Sequence, residues 1–247
     1  KSVAMRATFP AASLFKMITA AAALERGGLS THEPVRFRGS DYLLSRWNYL
    51  PNPKLDRRVM DLSTALGKSC NPVFARVALQ NLDTPILERY ATNFGFNSEI
   101  PFDINVETSR FNLQGDSYDL ARTAAGFGEV SISPLHAALI TAAIANSGKM
   151  MKPYVVDRIV AADGKLEYQA QSSSLRYPIL SSTAQQLLEM MKETVESGTA
   201  KKHFTKLRQS TFRDIEVAAK TGTLSGDNPK GMYYWFVAAA PADDPEI

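Results

Sequence analysis

An apolar segment, residues 11–24, contains a single ionisable side chain, Lys16. Alanine and leucine are strong helix formers, so the composition predicts a helix over residues 11–26 that ends at Gly27 and Gly28. Pro10 marks the entry to this helix. Apolar side chains occupy every face, which places the helix inside the protein. The fold must therefore either bury this lysine or lead its amine out to solvent.

Ser13 lies three residues before Lys16, in the first turn of the predicted helix. Residues i and i+3 share a helix face, so Ser13 Oγ and Lys16 Nζ can meet. Burial favours the neutral amine, and a fall of ~3 units in the lysine pKa, about 4 kcal/mol, would make it a base at neutral pH. The pair is a candidate nucleophile and base. The alternative is a core helix whose lysine extends to the surface.

A second candidate pair, Ser69 and Asn71, lies between two predicted helices. One helix covers residues 61–68, and the other starts at Pro72, because proline is favoured at the first helical position. Asn71 is then a plausible N-cap, and a serine and an amide project from a short joint. A purely capping role for Asn71 is the alternative.

The third candidate segment lies between an apolar stretch, residues 215–219, and a turn-rich cluster, residues 225–231. An aromatic-rich stretch over residues 232–240 follows, so the pattern predicts a β-hairpin. A glycine in an edge strand allows a helix end or a ligand to approach closely. A cation and hydroxyls beside it suit a carboxylate, although an ordinary strand end is the alternative. The residues of this segment are Lys220, Thr221, Gly222 and Thr223.

The three motifs occur in the order S-x-x-K, S-x-N and K-T-G, separated by 56 and 151 residues. Here the chain resembles the penicillin-binding protein transpeptidases and the wider serine acyl-transferase group that includes serine β-lactamases. The flanks of the motifs also resemble that family. These flanks are residues 65–74, 127–135, 198–200 and 235–237. Three positions depart from its usual pattern: Ala11-Ala12 stands where Pro-Gly is common, and Ala219 stands where glycine is common.

The resemblance and the element pattern imply a single α+β transpeptidase domain over residues 1–247. An antiparallel sheet packed with helices would hold the third motif, a mostly helical subdomain would hold the second, and the active-site cleft would lie between them. The helical subdomain covers approximately residues 27–150, and the sheet subdomain covers residues 1–26 and 151–247. Relatives carry further strands and a helix, so we expect flanking elements at both ends to be absent from this chain.

Shorter patterns complete the outline. Residues 29–60 contain three prolines, and we expect them to be irregular and to rim the cleft. Ser133 is a candidate N-cap for a helix that Pro134 opens. Two runs around Asp163-Gly164 predict a hairpin over residues 154–168, and residues 183–197 show the period of an amphipathic helix.

The resemblance implies a D,D-transpeptidase that cross-links peptidoglycan stem peptides through a serine acyl-enzyme. Its partners would be a stem peptide ending in D-Ala-D-Ala, an amine on an acceptor strand, and β-lactams as covalent inhibitors. The implied catalytic residues are Ser13, Lys16, Ser69, Asn71 and Lys220. The implied oxyanion and substrate-binding residues are Ser13, Thr221, Gly222 and Thr223.

Three other functions stay open. A D,D-carboxypeptidase would use water in place of the acceptor amine, and the motifs do not separate the two, although the flank at residues 235–237 favours a transpeptidase. A serine β-lactamase needs a base for deacylation, and no E-x-x-x-N signature is placed as in those enzymes. The S-x-N motif also differs from the S-x-V of the oxacillin-hydrolysing class. A non-catalytic penicillin-binding sensor or binding module is the third alternative.

Composition argues against several further classes. With 247 residues, a net charge of +3 and one cysteine, the chain is long enough for a sizeable core but cannot form an intrachain disulfide. The basic stretch at residues 201–213 is interpreted as a solvated connection rather than a nucleic-acid site. No cluster has metal-ligand spacing, and no cofactor fingerprint occurs, so we expect neither a metal nor a cofactor.

The sequence contains no apolar run of transmembrane length and no signal peptide. The resemblance implies a bacterial parent protein that is anchored in the cytoplasmic membrane by a segment not in this chain. The domain would then act outside the membrane, in the periplasm or on the outer face.

Overall fold

The computed structural model describes residues 3–6, 8–206, 209–227 and 230–245. Helices and antiparallel strand pairs make up this part of the chain, which confirms the predicted α+β class. The helices are α1 (Val3–Arg6), α2 (Lys16–Glu25), α3 (Leu62–Gly67), α4 (Asn71–Asn81), α5 (Thr84–Phe94), α6 (Ser117–Ala124), α7 (Pro134–Ala145), α8 (Ser181–Glu196) and α9 (Lys201–Phe204). The strands are β1 (Phe9–Pro10), β2 (Pro34–Phe37), β3 (Arg58–Asp61), β4 (Arg110–Asn112), β5 (Glu129–Ile132), β6 (Met150–Met151), β7 (Arg158–Val160), β8 (Leu166–Gln169), β9 (Ser174–Arg176), β10 (Ala218–Asp227) and β11 (Lys230–Ala239).

Helix α2 is the buried helix that the sequence predicts. Residues 16–23 are all buried, and the helix packs against α4, α5 and α8. A 3₁₀ turn over Ala12–Phe15 leads into it, so the first turn is tighter than the α-helix expected from residue 11. Gly28 follows the end of the helix with a φ of 66°, a left-handed conformation that glycine adopts without steric penalty.

Strands β10 and β11 form the predicted hairpin that carries the third motif. They pair antiparallel, with Lys220 opposite Val237 and Gly222 opposite Trp235. The first strand starts at Ala218 rather than at residue 215, and residues 228 and 229 of the predicted turn lie outside the described residues. Helix α8 packs against β10 and helix α7 against β11, so both strands of the hairpin have helical support.

A short antiparallel sheet in the order β1–β5–β4 fixes the approach to the first motif. Phe9 pairs with Ile132, and Pro10 pairs with Ser131. The chain then continues from β5 into α7, whose N-cap is Ser133, as predicted: its hydroxyl accepts the His136 N–H. Strand β4 was not predicted from the sequence.

Two sequence predictions are wrong. Residues 29–60 are not irregular throughout, because β2 pairs with β3; Pro34 stands at the first position of β2, where a missing N–H is tolerated. Asn71 is not the N-cap of α4. Cys70 occupies that position, and Asn71 is the first helical residue, with its side chain free to bond elsewhere.

The remaining predictions fit more closely. Strands β7 and β8 form the predicted hairpin, and α8 begins two residues before the predicted position 183. The division into a helical and a sheet subdomain stays a prediction. The main hydrophobic cluster contains side chains from both predicted parts, among them Phe15, Phe74 and Leu187.

Candidate active site

The first motif places a hydroxyl and an amine in contact. Ser13 lies in the 3₁₀ turn and is half-buried, while Lys16 opens α2 and has no exposed surface. Lys16 Nζ lies 2.8 Å from Ser13 Oγ. This contact follows from the i, i+3 spacing, which brings both side chains to one side of the turn.

Lys16 Nζ has two further partners, and both are oxygen atoms that can only accept. It donates to Asn71 Oδ1 at 2.7 Å and to the carbonyl oxygen of Ala125 at 2.7 Å. A neutral amine has two N–H groups and one lone pair. If the two carbonyls take the N–H groups, the lone pair is directed to the Ser13 O–H, which then donates to it.

The electrostatic environment favours that neutral form. Burial holds the pKa of Lys16 well below its ordinary value, and the positive charge of Lys220 lowers it further. Cys70 acts in the opposite direction but more weakly. The amine therefore has the hydrogen-bond partners and the pKa direction of a base that can take the Ser13 proton.

The second and third motifs meet through another buried lysine. Lys220 Nζ donates to Ser69 Oγ at 3.0 Å and to the carbonyl oxygen of Thr221 at 2.7 Å. Burial lowers the pKa of Lys220 to about 7. Ser69 has a φ of 57°, which is uncommon for a residue other than glycine and is held here by the joint between α3 and α4.

Two glycines allow the backbone around Ser13 to approach its neighbours closely. Gly126 has a φ of 92°, and a Cβ there would lie 2.3 Å from the Ala12 carbonyl oxygen. A Cβ on Gly222 would lie 3.2 Å from Trp235 Cβ and 3.5 Å from the Ser13 backbone nitrogen. Strand β10 thus reaches the serine from one side. Ala12, which stands where glycine is common in the family, has a φ of 50°.

These groups face one cleft of about 710 Å³. Six predicted site residues line it: Ser13, Ser69, Asn71, Thr221, Gly222 and Thr223. Lys16 and Lys220 do not line the cleft but lie buried behind it, each in contact with a serine that does. The structure therefore brings all the predicted site residues together.

Several residues of the cleft were not predicted. They are Tyr42, Phe127, Thr199, Ala200, His203, Phe204 and Phe236. Four of these, Phe127, Thr199, Ala200 and Phe236, belong to the family-like flanks and could have been found there. Thr199 Oγ1 lies 2.5 Å from Thr221 Oγ1, which joins such a flank to the third motif. Tyr42 belongs to residues 29–60, which were expected to rim the cleft. His203 and Phe204 belong to the basic stretch at residues 201–213, which was interpreted only as a solvated connection.

Among the described residues, no three side chains of histidine, cysteine, aspartate or glutamate are grouped to hold a metal ion. Nor does this part of the chain contain a helix with the length and apolar character to cross a membrane.

Comparisons with known proteins show which family the chain belongs to. The family described as penicillin binding protein transpeptidase domain matches residues 1–247. Peptidoglycan D,D-transpeptidase PbpA of Mycobacterium tuberculosis is 30% identical over 253 residues, which cover 99% of this chain and 49% of that protein. The chain thus spans about half the length of this relative.

Solved structures show the same fold. Penicillin-binding protein A from M. tuberculosis, solved as a penicillin G acyl-enzyme complex, has a TM-score of 0.79 at 30% identity, with 99% of this chain and 55% of that chain covered. The D,D-transpeptidase domain of a peptidoglycan glycosyltransferase from Eggerthella lenta has a TM-score of 0.82 at 27% identity, covering 99% of this chain and 60% of that chain. The chain belongs to the penicillin-binding protein transpeptidase domain family.

Proposed function

We propose that this chain is the catalytic domain of a peptidoglycan D,D-transpeptidase that works through an acyl-enzyme on Ser13. The observation that carries the proposal is the placement of Lys16 Nζ, buried and 2.8 Å from Ser13 Oγ, behind a cleft that a second buried lysine also supports. The relative solved as a penicillin G acyl-enzyme lends further support, because a β-lactam reacts as an acyl donor.

In the acylation step, Ser13 Oγ attacks the carbonyl carbon of the penultimate D-alanine, and Lys16 takes the serine proton. The charge that develops on the carbonyl oxygen is held by the backbone N–H groups of Ser13 and Thr223. Asn71 keeps Lys16 oriented and binds the amide of the substrate. These roles need a neutral Lys16, in line with its lowered pKa.

The amide C–N bond then breaks, and D-alanine leaves as an amine. A proton reaches that amine through Ser69 Oγ, which lies next to Lys220. The carboxylate of the bound donor keeps Lys220 charged at this stage. The net change moves the Ser13 proton to the leaving group. Lys220, Thr221 and Thr223 hold the terminal carboxylate of the donor peptide through a cation and two hydroxyls.

In the second step, the amine of an acceptor strand attacks the ester carbonyl. A new amide bond forms, the ester bond breaks, and the proton lost by the amine returns to Ser13 Oγ. β-Lactams stop after the first step as covalent adducts. The substrate places the domain outside the cytoplasmic membrane of a bacterium, held there by an anchor elsewhere in the parent protein.

Intact-protein mass spectrometry with penicillin G tests the nucleophile. The wild type is expected to gain the mass of one penicillin, and Ser13→Ala is expected to gain none. Ser172→Ala changes an exposed serine in a loop that does not line the cleft, so it should react as the wild type does. An unmodified wild type, or an undiminished adduct on Ser13→Ala, would refute the role of Ser13. Product analysis with a D-Ala-D-Ala peptide and an added amine then tests the transfer: a new amide supports the proposal, and hydrolysis alone contradicts it.

A further inference from the structure

Residues 38–57 form the connection between β2 and β3, and this connection holds the side chain of Asn71. The Asn71 N–H donates to the Asp41 carbonyl oxygen at 2.7 Å, and Asn71 Nδ2 donates to the Tyr42 carbonyl oxygen at 2.5 Å. With Nδ2 committed to a carbonyl, the other end of the amide, Oδ1, faces Lys16 Nζ. A flipped amide would set two carbonyl oxygens against each other, so Tyr42 fixes the orientation that Lys16 requires.

Apolar burial holds this connection in place only in part. Leu44 is partly buried against the main hydrophobic cluster, and the Tyr49 ring centroid lies 4.9 Å from the Tyr118 ring centroid. The other large apolar side chains are 47% to 63% exposed: Tyr42, Leu43, Trp47, Leu50 and Leu55. A segment of this length with most of its large apolar side chains exposed needs other contacts to keep one conformation.

A buried ion cluster supplies those contacts. Asp56 is 3% exposed and accepts from Arg38 Nη1 at 2.9 Å, from Arg76 Nη2 at 3.3 Å and from the Asn52 N–H at 2.7 Å. Burial alone would raise the pKa of Asp56, but the Asn52 N–H and the two arginines together keep it below its usual value. The cluster is therefore a carboxylate held between two guanidinium groups.

The same arginines also bind the backbone of the connection. Arg38 donates to the carbonyl oxygens of Leu50, at 3.1 Å, and of Trp47. Arg76, which has no exposed surface, donates to the carbonyl oxygen of Tyr49. Three backbone carbonyl oxygens between β2 and β3 thus accept hydrogen bonds from two arginine side chains, and Asp56 holds both arginines in place.

Helix α4 ties this cluster to the active site. It carries both Asn71 and Arg76, five residues apart and therefore about 7.5 Å apart along its axis. The helix binds the start of the connection through Asn71 and its later part through Arg76. Any shift of the connection relative to α4 would move the Tyr42 carbonyl away from the Asn71 amide.

We propose that the buried Arg38–Asp56–Arg76 cluster is a positioning device for the Asn71 amide and, through it, for Lys16. The expected effect on the acylation rate rests on the proposed function, whereas the expected effect on the orientation of the Asn71 amide does not. None of the three residues lines the cleft, so they act through Asn71 rather than on the substrate. A buried ion cluster adds little net stability compared with apolar packing, whereas it does fix one arrangement of a chain with few apolar anchors.

The variant Asp56→Asn tests this role. The first-order rate constant of acylation at saturating penicillin G is expected to fall about 10- to 100-fold, because a displacement of ~1 Å in a catalytic group can cost ~10²-fold. The apparent dissociation constant of the non-covalent complex should change much less. A double-mutant cycle with Asn71→Ala should show strong non-additivity, because Asp56 acts through the amide that the second change removes.

Glu25→Gln is the matched control. Glu25 also accepts a side-chain and a backbone donor, Tyr90 Oη at 2.6 Å and the Leu180 N–H at 2.8 Å, but it lies outside the cleft. The Glu25→Gln variant should have a lower thermal stability but the same acylation rate constant as the wild type. Since loss of one charge from a buried cluster can unfold a protein, Arg38→Lys is the second variant. It keeps the cation but replaces the planar fork of two donor nitrogens by a single nitrogen, so the geometry of the three Arg38 hydrogen bonds is lost.

The outcomes separate this inference from the proposed function. A folded Asp56→Asn or Arg38→Lys protein that is acylated at the wild-type rate, or additive effects with Asn71→Ala, would overturn the inference. A wild type that forms no adduct would refute the proposed function instead. The inference is then decided by NMR of the Asn71 side-chain amide, whose resonances should shift and lose exchange protection in Asp56→Asn but not in Glu25→Gln; unchanged resonances would overturn it.

Discussion

Replacement of the buried Lys220 by an apolar residue should raise the free energy of unfolding near neutral pH, and the size of this gain should depend on pH. The pKa of Lys220 lies at about 7 in the folded chain, against an ordinary value of 10.5. Between these two pH values the unfolded chain keeps a proton that the folded chain has lost. The unfolding free energy of the wild type therefore rises with pH in this window, with a slope of about 1.36 kcal/mol per pH unit.

The variant Lys220→Met lacks this dependence because its side chain has no proton to lose. At pH 7.5, three pH units below the ordinary lysine pKa of 10.5, the buried Lys220 lowers the unfolding free energy of the wild type by about 4 kcal/mol relative to the variant. Loss of the hydrogen bonds to Ser69 Oγ and the Thr221 carbonyl oxygen offsets about 1 kcal/mol each, so the variant should be about 2 kcal/mol more stable. At pH 9.5 the destabilisation of the wild type by Lys220 is smaller by about 2.7 kcal/mol, so the variant should be the less stable protein.

Urea denaturation of both proteins between pH 7.5 and 9.5 measures the difference. Lys192→Met is the control of opposite sign: burial lowers the pKa of Lys192, but Asp243, Glu189 and Glu216 together raise it well above its ordinary value. The stability that such a raised pKa contributes is fully present below the unfolded pKa, so the loss in Lys192→Met should stay constant over this range. A Lys220→Met difference that does not change with pH would refute the reasoning.

Three further outcomes follow from buried or crowded groups. Gly222→Val should lower the acylation rate constant at least ~10-fold in stopped-flow assays, because a Cβ there would lie 3.2 Å from Trp235 Cβ and the two further methyl groups would crowd the backbone beside Ser13. An unchanged rate would contradict it. Burial raises the pKa of the Cys70 thiol to about 12, so a thiol reagent at pH 8 should label it only in urea, and labelling of the folded protein would refute this. Burial lowers the pKa of His136 to about 4, so the free energy of unfolding should fall as the pH drops from 6.5 through 4. NMR should show a neutral His136 ring at pH 5.5, and a protonated ring at that pH would disprove the prediction.

Local spacing explains which parts of the site could be predicted from the sequence. The contact between Ser13 and Lys16 follows from three residues of helical separation, and the burial of Lys16 follows from the apolar segment around it. The hairpin that carries Lys220 follows from two strand-like runs around a turn cluster. Neither pattern states that Lys220 meets Ser69, 151 residues away, and that expectation depended on the family resemblance.

Backbone groups explain most of what was missed. The carbonyl oxygens of Ala125 and Tyr42 bind the Lys16 amine and the Asn71 amide, but a carbonyl is present at every position and leaves no mark in the sequence. The N-cap prediction for Asn71 failed for a related reason. The Asn71 side chain forms hydrogen bonds with Lys16 and the Tyr42 carbonyl oxygen instead of capping the start of α4. Local helix propensity cannot show such tertiary contacts.

The account depends most directly on an uncharged Lys16 next to Ser13 at neutral pH. Nitrogen-15 NMR of the lysine Nζ atoms, with Lys16 assigned from the signal lost in Lys16→Arg, measures its protonation state. The signal of Lys16 should be that of a neutral amine at pH 7.5 and should titrate well below the ordinary lysine pKa. An ammonium signal for Lys16 that persists to pH 10 would contradict the account.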